Sequence, residues 1–212
     1  MLSPDDLDIN EYPDYLWTMI PFKDFIGPER YLQDAIDDLK SGDERRHYNN
    51  ALRNAKSALH MRVDILCYSF GGESFFKKMK SFPRKLDFLE SIGIVRPRII
   101  DKINKVRNEF EHEYKNITKE EAEDFVDIVM LFIEATKYLN FRFPSEIVFI
   151  GLNKEGNKEV IERIYCNFSN GEIILCFRDC GAKEKGIFIK HSIFVEDNLY
   201  REWLKYIIIN NE

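Results

Sequence analysis

In Arg107-Asn108-Glu109-Phe110-Glu111-His112-Glu113-Tyr114, an arginine, a histidine and a tyrosine stand at fixed spacing. These side chains suit metal-free cleavage of a phosphodiester. Such cleavage needs a group near neutral pKa to move a proton at the 2'-hydroxyl or the leaving oxygen. It also needs a fixed cation on the phosphate as negative charge builds. Histidine titrates in the right range, and arginine offers a permanent planar fork to phosphate oxygens. With 4 His and 10 Tyr among 212 residues, the pattern Arg-x4-His-x-Tyr is expected by chance about 0.01 times in this composition.

The motif needs a helix to present it. Pro97 opens a stretch in which Ile99, Ile103, Val106 and Phe110 recur at helical spacing and form the stripe that packs inward. Arg107 and Tyr114 then lie on the flank of that stripe, and Asn108 and His112, four apart, project together from the other side. At about 100° per residue, Arg107 and His112 point roughly 140° apart. On one straight helix both cannot hold the same phosphate, so the geometry favours a site made with a bend or with a second subunit. Each residue also has a plain structural reading. Arg107 with Glu111 is an ordinary i,i+4 pair, His112 suits a solvated face, and Tyr114 suits a half-buried helix end.

The preceding segments supply the scaffold. Residues 1–27 are acidic, rich in proline and aromatics and without sustained periodicity, which predicts an irregular N-terminal arm. Glu29 to Lys40 is a helix, closed by Ser41-Gly42-Asp43. A long second helix carries Ala51, Leu52, Ala55, Ala58, Leu59, Val63, Leu66, Cys67 and Phe70 on one face and ends at Gly71-Gly72. A short helix follows Pro83 and ends at Gly93. After the motif, Thr118-Lys119-Glu120-Glu121 is a capping box in front of a last long helix reaching about Asn140. Residues 28–140 are therefore expected to form a helical bundle.

From Phe141 the pattern changes to β-branched and aromatic runs: Ile147 to Ile150, Val160 to Phe168, Ile173 to Phe177 and Ile187 to Val195. Turns such as Ser169-Asn170-Gly171 separate them. Residues 141–212 are expected to form a small antiparallel β-rich domain whose tail, Asn198 to Ile209, is a helix or a strand. The predicted fold class is α+β.

At 44% hydrophobic the chain can bury a proper core, and its opening residues show neither a signal peptide nor an apolar run of spanning length. A cytoplasmic protein with no membrane association is expected. Net charge is -6, yet residues 77–107 hold 10 Lys/Arg against 3 Asp/Glu, a basic block that ends at Arg107. Such a block either guides a phosphate backbone or is a solvated face.

Arg-x4-His, with Asn after the Arg and Tyr two after the His, resembles the signature of the HEPN-domain ribonucleases. The resemblance covers a short motif and its helical setting. It implies a helical domain that dimerises so that motif residues of both protomers line one cleft, and an endoribonuclease that cuts RNA without a metal or cofactor. By the same resemblance Arg107 would stabilise the phosphorane, His112 would be the general acid/base, and Asn108 would orient the histidine or the substrate. In a subgroup of HEPN toxins the tyrosine of His-x-Tyr is adenylylated by a partner antitoxin, and Tyr114 occupies that position. The β-rich region after residue 140 has no place in the toxin pattern. The expected function is a toxin or phage-defence endoribonuclease acting on RNA as a homodimer, with an antitoxin or defence-system protein as a further partner. The competing reading is a non-catalytic RNA-binding or protein-interaction module on a HEPN scaffold.

Other polar residues offer less. Arg62 lies in the apolar stripe of the second helix, where an arginine ordinarily snorkels to a rim. His47, His60 and His191 have no partners at catalytic spacing. Cys67, Cys166, Cys176 and Cys180 read as buried free thiols, and without paired Cys-x2-Cys knuckles no metal site is expected from Cys176, Cys180 and His191.

Overall fold

The computed structural model describes residues 3–6, 13–20, 27–94, 117–149, 159–179 and 188–209. Among the described residues, four α-helices lie between positions 28 and 136: α1 (Pro28–Lys40), α2 (Arg45–Lys78), α3 (Phe82–Ser91) and α4 (Lys119–Thr136). The stripe expected on α2 is buried along its length, and its alanines (Ala51, Ala55, Ala58) are fully enclosed, letting neighbouring helices approach closely. Gly71-Gly72 marks a break but not the end. Gly72 has φ 74 and ψ 165, and helical backbone resumes beyond it to Lys78. α3 begins with proline in its first turn and is followed by Gly93 at φ 82, a left-handed position suited to glycine. The capping box of α4 forms as read: the Thr118 hydroxyl accepts from the Glu121 N–H at 3.2 Å, and the Glu121 carboxylate accepts from the Thr118 N–H at 2.9 Å.

The sheet is antiparallel, in the order β1 (Asp14–Thr18), β2 (Phe143–Val148), β3 (Glu159–Asn167), β4 (Glu172–Asp179) and β5 (Phe188–Phe194). The segment expected to be an irregular arm thus contributes an edge strand, pairing Tyr15 with Ile147 and Leu16 with Glu146. On β5, Ile193 is buried toward the core while Lys190, Ser192 and Phe194 on the other face are exposed. Ile161 and Ile164 both face inward despite their three-residue spacing, because the β3–β4 register shifts between Ile161 and Arg163.

The tail resolves as a helix, α5 (Asn198–Ile209), burying Tyr200, Trp203, Leu204, Ile207 and Ile208. The helical and β-rich regions do not have separate cores: one contiguous apolar cluster contains residues of both. At the junction, Phe70 of α2 meets Phe143 of β2 and Phe168 of the β3–β4 turn at ring separations of 4.9 and 5.5 Å. The Tyr200 hydroxyl of α5 donates to the Phe70 carbonyl. No described helix is long and apolar enough to cross a membrane.

Candidate functional site

Arg107, Asn108, His112 and Tyr114, with the helix expected from Pro97, lie outside the described residues. The structure fixes the two ends of the stretch that carries them. On one side is the Gly93 terminus of α3. On the other, Thr118 caps α4, whose acidic first turn (Glu120, Glu121) suits a helix N-terminus.

Part of the basic block is described, and its charge is largely spoken for. Lys77 pairs with Glu73 at 2.5 Å, Lys78 with Glu196 at 2.9 Å and Lys85 with Asp64 at 2.6 Å. The Lys85 ammonium also sits 4.7 Å above the Phe76 ring. These lysines tie α2 to its own next turn, to the end of the sheet and to α3.

Arg62 is not at a rim. It is 1% exposed, and its guanidinium spans the C-terminal end of α4. Nε donates to the Thr136 hydroxyl at 2.8 Å, Nη1 to Asn140 Oδ1 at 2.7 Å and Nη2 to the Thr136 carbonyl. The Thr136 hydroxyl in turn donates to the Phe132 carbonyl at 2.9 Å. A cation at the Thr136 carbonyl, near the end of α4 where the helix dipole is negative, is a helix-capping arrangement. Burial lowers the Arg62 pKa to about 10, with Glu29 acting in the opposite direction, so the group stays charged at neutral pH. All three of its nitrogens bond to protein acceptors, and the buried fork is not presented to a substrate.

A groove of about 610 Å³ runs between the end of α1 and the start of α4, lined among others by Leu39, Lys40, Asp43, Lys119, Glu123 and Asp127. Asp43 and Lys119 join across it at 2.7 Å. Their hydrogen bond holds the Asp43 carboxylate below its ordinary pKa and the Lys119 ammonium above its own, so both are charged at neutral pH. Next to it, His47 Nδ1 accepts from the Glu44 N–H at 3.2 Å, which closes the N-terminus of α2. The groove has no sequence signature, because Asp43 and Lys119 come from segments far apart in the chain. It gathers mixed charge without a nucleophile and base in contact.

The sheet separates the residues considered for a metal. Cys176 lies opposite Lys190 and His191 opposite Leu175, which puts the thiol and the imidazole on opposite faces. The His191 ring packs edge-on against Phe177 at 5.2 Å. Among the described residues no group of three or more His, Cys, Asp or Glu gathers as a metal site. Cys67, Cys166 and Cys176 are free thiols, and burial pushes the first two far above the usual thiol range. Cys180 lies outside the described residues.

No protein-family model, no curated protein and no solved structure matches this chain.

Proposed function

We propose that this chain is a metal-independent endoribonuclease of the toxin or phage-defence type, acting on RNA in the cytoplasm as a homodimer. The observation that carries the reading is the Arg107-x4-His112-x-Tyr114 spacing, in a stretch flanked by two helices of a bundle. His112 takes the proton of the 2'-hydroxyl as its oxygen attacks the adjacent phosphorus, and the P–O5' bond breaks as a His112 imidazolium gives a proton to the 5'-oxygen, leaving a cyclic phosphate and a 5'-hydroxyl. Arg107 holds the phosphate oxygens while charge accumulates on them, and Asn108 orients the imidazole or the substrate. On the helix expected from Pro97, Arg107 and His112 would diverge, so the proposed cleft is composite and draws on motif residues of two protomers through helical faces near the motif. Adenylylation of Tyr114 by a partner antitoxin would block the same cleft.

The experiment is cleavage of mixed RNA by the purified protein in EDTA, beside Arg107→Ala and His112→Ala checked for folding. Cutting that both substitutions abolish supports the nuclease. Absence of cutting by wild type with unmodified Tyr114 overturns it. One observation favours the second reading, a non-catalytic RNA-binding or interaction module. In a chain of net charge -6, three lysines at the start of the basic block are neutralised by carboxylates, which weakens an electrostatic guide for RNA. In that case His112→Ala leaves partner affinity unchanged.

A further inference from the structure

Strand β5 reads nearly the same in both directions: Phe188-Ile189-Lys190-His191-Ser192-Ile193-Phe194. Phenylalanines stand at both ends, isoleucines next to them, and His191 in the centre. β4 pairs along one flank from Glu172 opposite Phe194 to Arg178 opposite Phe188, and among the described residues β5 has no strand on its other flank. Phe194 is 49% exposed, Ile189 36%, and Lys190 and Ser192 are also exposed.

The main chain fixes which groups the open flank offers. The Val195 N–H donates to the Gly171 carbonyl at 2.8 Å, so the polar groups of Val195 turn toward β4. By alternation those of Ile193, His191 and Ile189 turn the same way, and those of Ser192 and Lys190 turn outward. The Phe194 N–H is held by the Asp197 carboxylate at 3.3 Å.

We propose that β5 pairs antiparallel with β5 of a second copy of this chain about a two-fold axis through His191, making one sheet continuous across two protomers. At that register Lys190 faces Ser192 of the second copy, and the two exchange main-chain hydrogen bonds through their outward groups. Phe194 faces Phe188, Ile193 faces Ile189, and the two His191 residues meet at the site without cross-strand bonds, where side chains lie closest. An isologous contact demands such self-complementarity, and a foreign strand does not. The neighbouring registers are worse. An axis through Lys190 sets lysine against lysine, and one through Ser192 sets Lys190 against Phe194. A lone lysine ordinarily keeps an edge strand from pairing; here it meets serine. A pairing of this length buries less than the ~1,200 Å² of a standard interface, so the dimer dissociates on dilution. This interface is distinct from the helical-face dimer proposed for the nuclease and does not depend on it.

The test is sedimentation equilibrium of the full chain from about 1 to 200 μM, with circular dichroism to confirm folding. Wild type is expected to self-associate. Ser192→Glu places opposite charges at both Lys190 contacts and tightens association roughly two- to thirtyfold; Ser192→Lys weakens it by a similar factor. Lys190→Glu combined with Ser192→Lys restores association. If the helical-face dimer also forms, the same charge pattern governs the dimer-to-tetramer step. Constant monomeric mass for wild type overturns the proposal, as does a shift in the same direction, or no shift, for the two Ser192 variants. RNA cleavage is not read, so failure of the nuclease reading leaves this test intact.

Discussion

Gly72 and Gly171 meet backbone to backbone. A Cβ on Gly72 would lie 2.8 Å from the Gly171 nitrogen, and one on Gly171 would lie 2.7 Å from the Gly71 carbonyl oxygen. Both residues also have positive φ, 74 and 64. The break in α2 and the β3–β4 turn are therefore one feature: the helix opens where the turn docks, with no room for a side chain on either.

Gly72→Ala and Gly171→Ala should each destabilise the fold by at least about 2 kcal/mol, combining left-handed strain with a clash against unyielding backbone. Urea unfolding measures this as a lower midpoint at unchanged slope. A loss under about 0.5 kcal/mol, the usual range for surface substitutions, would mean that the contact is looser than described.

Arg62→Ala should cost about 2–4 kcal/mol, because it removes three charge-assisted hydrogen bonds from a buried site. Arg62→Lys should recover less than half of that loss, since a single ammonium cannot span acceptors on two residues as a planar fork does. Equal stability of the Lys variant and wild type in a denaturant titration would contradict the capping role.

Stability should fall as pH rises above about 9, near the ordinary thiol and phenol values. Burial raises the Tyr15 pKa to about 12 and holds Tyr200, Cys67 and Cys166 well above their usual ranges. Groups raised on folding keep their proton longer in the native state. Their stabilisation is complete below the unfolded pKa and is lost as pH climbs toward the folded one. Tyr200→Phe should lower stability at neutral pH by about 1 kcal/mol, through loss of the bond to Phe70, and flatten the alkaline decline. Melting temperatures between pH 7 and about pH 11 compare the two chains.

Cleavage of RNA in EDTA should drop at least about 100-fold in His112→Ala and in Arg107→Ala, the scale of losing an acid/base group or a charge-stabilising donor. If the cleft is composite, mixing the two inactive chains should restore part of the activity, since some heterodimer clefts would draw the intact residue of each. No recovery in a mixture shown to exchange subunits would confine the site to one protomer.

The stripes of α1, α2, α3 and α4, the Thr118–Glu121 box and the strands after residue 141 were legible in the sequence, because each is written in a local period or a short cap. β1 was not, since five residues show little periodicity and its partner strand lies beyond the whole bundle. Arg62 was misread for the opposite reason. A charge in an apolar stripe ordinarily escapes to water, and the acceptors that keep it buried sit on the far end of α4. The merging of the two expected domains into one core was equally invisible, because it depends on Tyr200, Phe168 and Gly72 meeting in space. Of the candidate site, the sequence supplies the chemistry of Arg107 and His112, while the structure supplies the helix ends on either side.

The Leu16 carbonyl accepts from the Ser145 hydroxyl, a contact between positions 129 residues apart. On a ribosome adding about 5–20 residues per second, β1 emerges roughly 6–26 s before the strand it pairs with. Through that interval the nascent chain carries an unpaired Leu16 and Trp17 while the helices assemble behind it. Chaperone capture of this short N-terminal segment during synthesis would then govern how much chain reaches the native sheet.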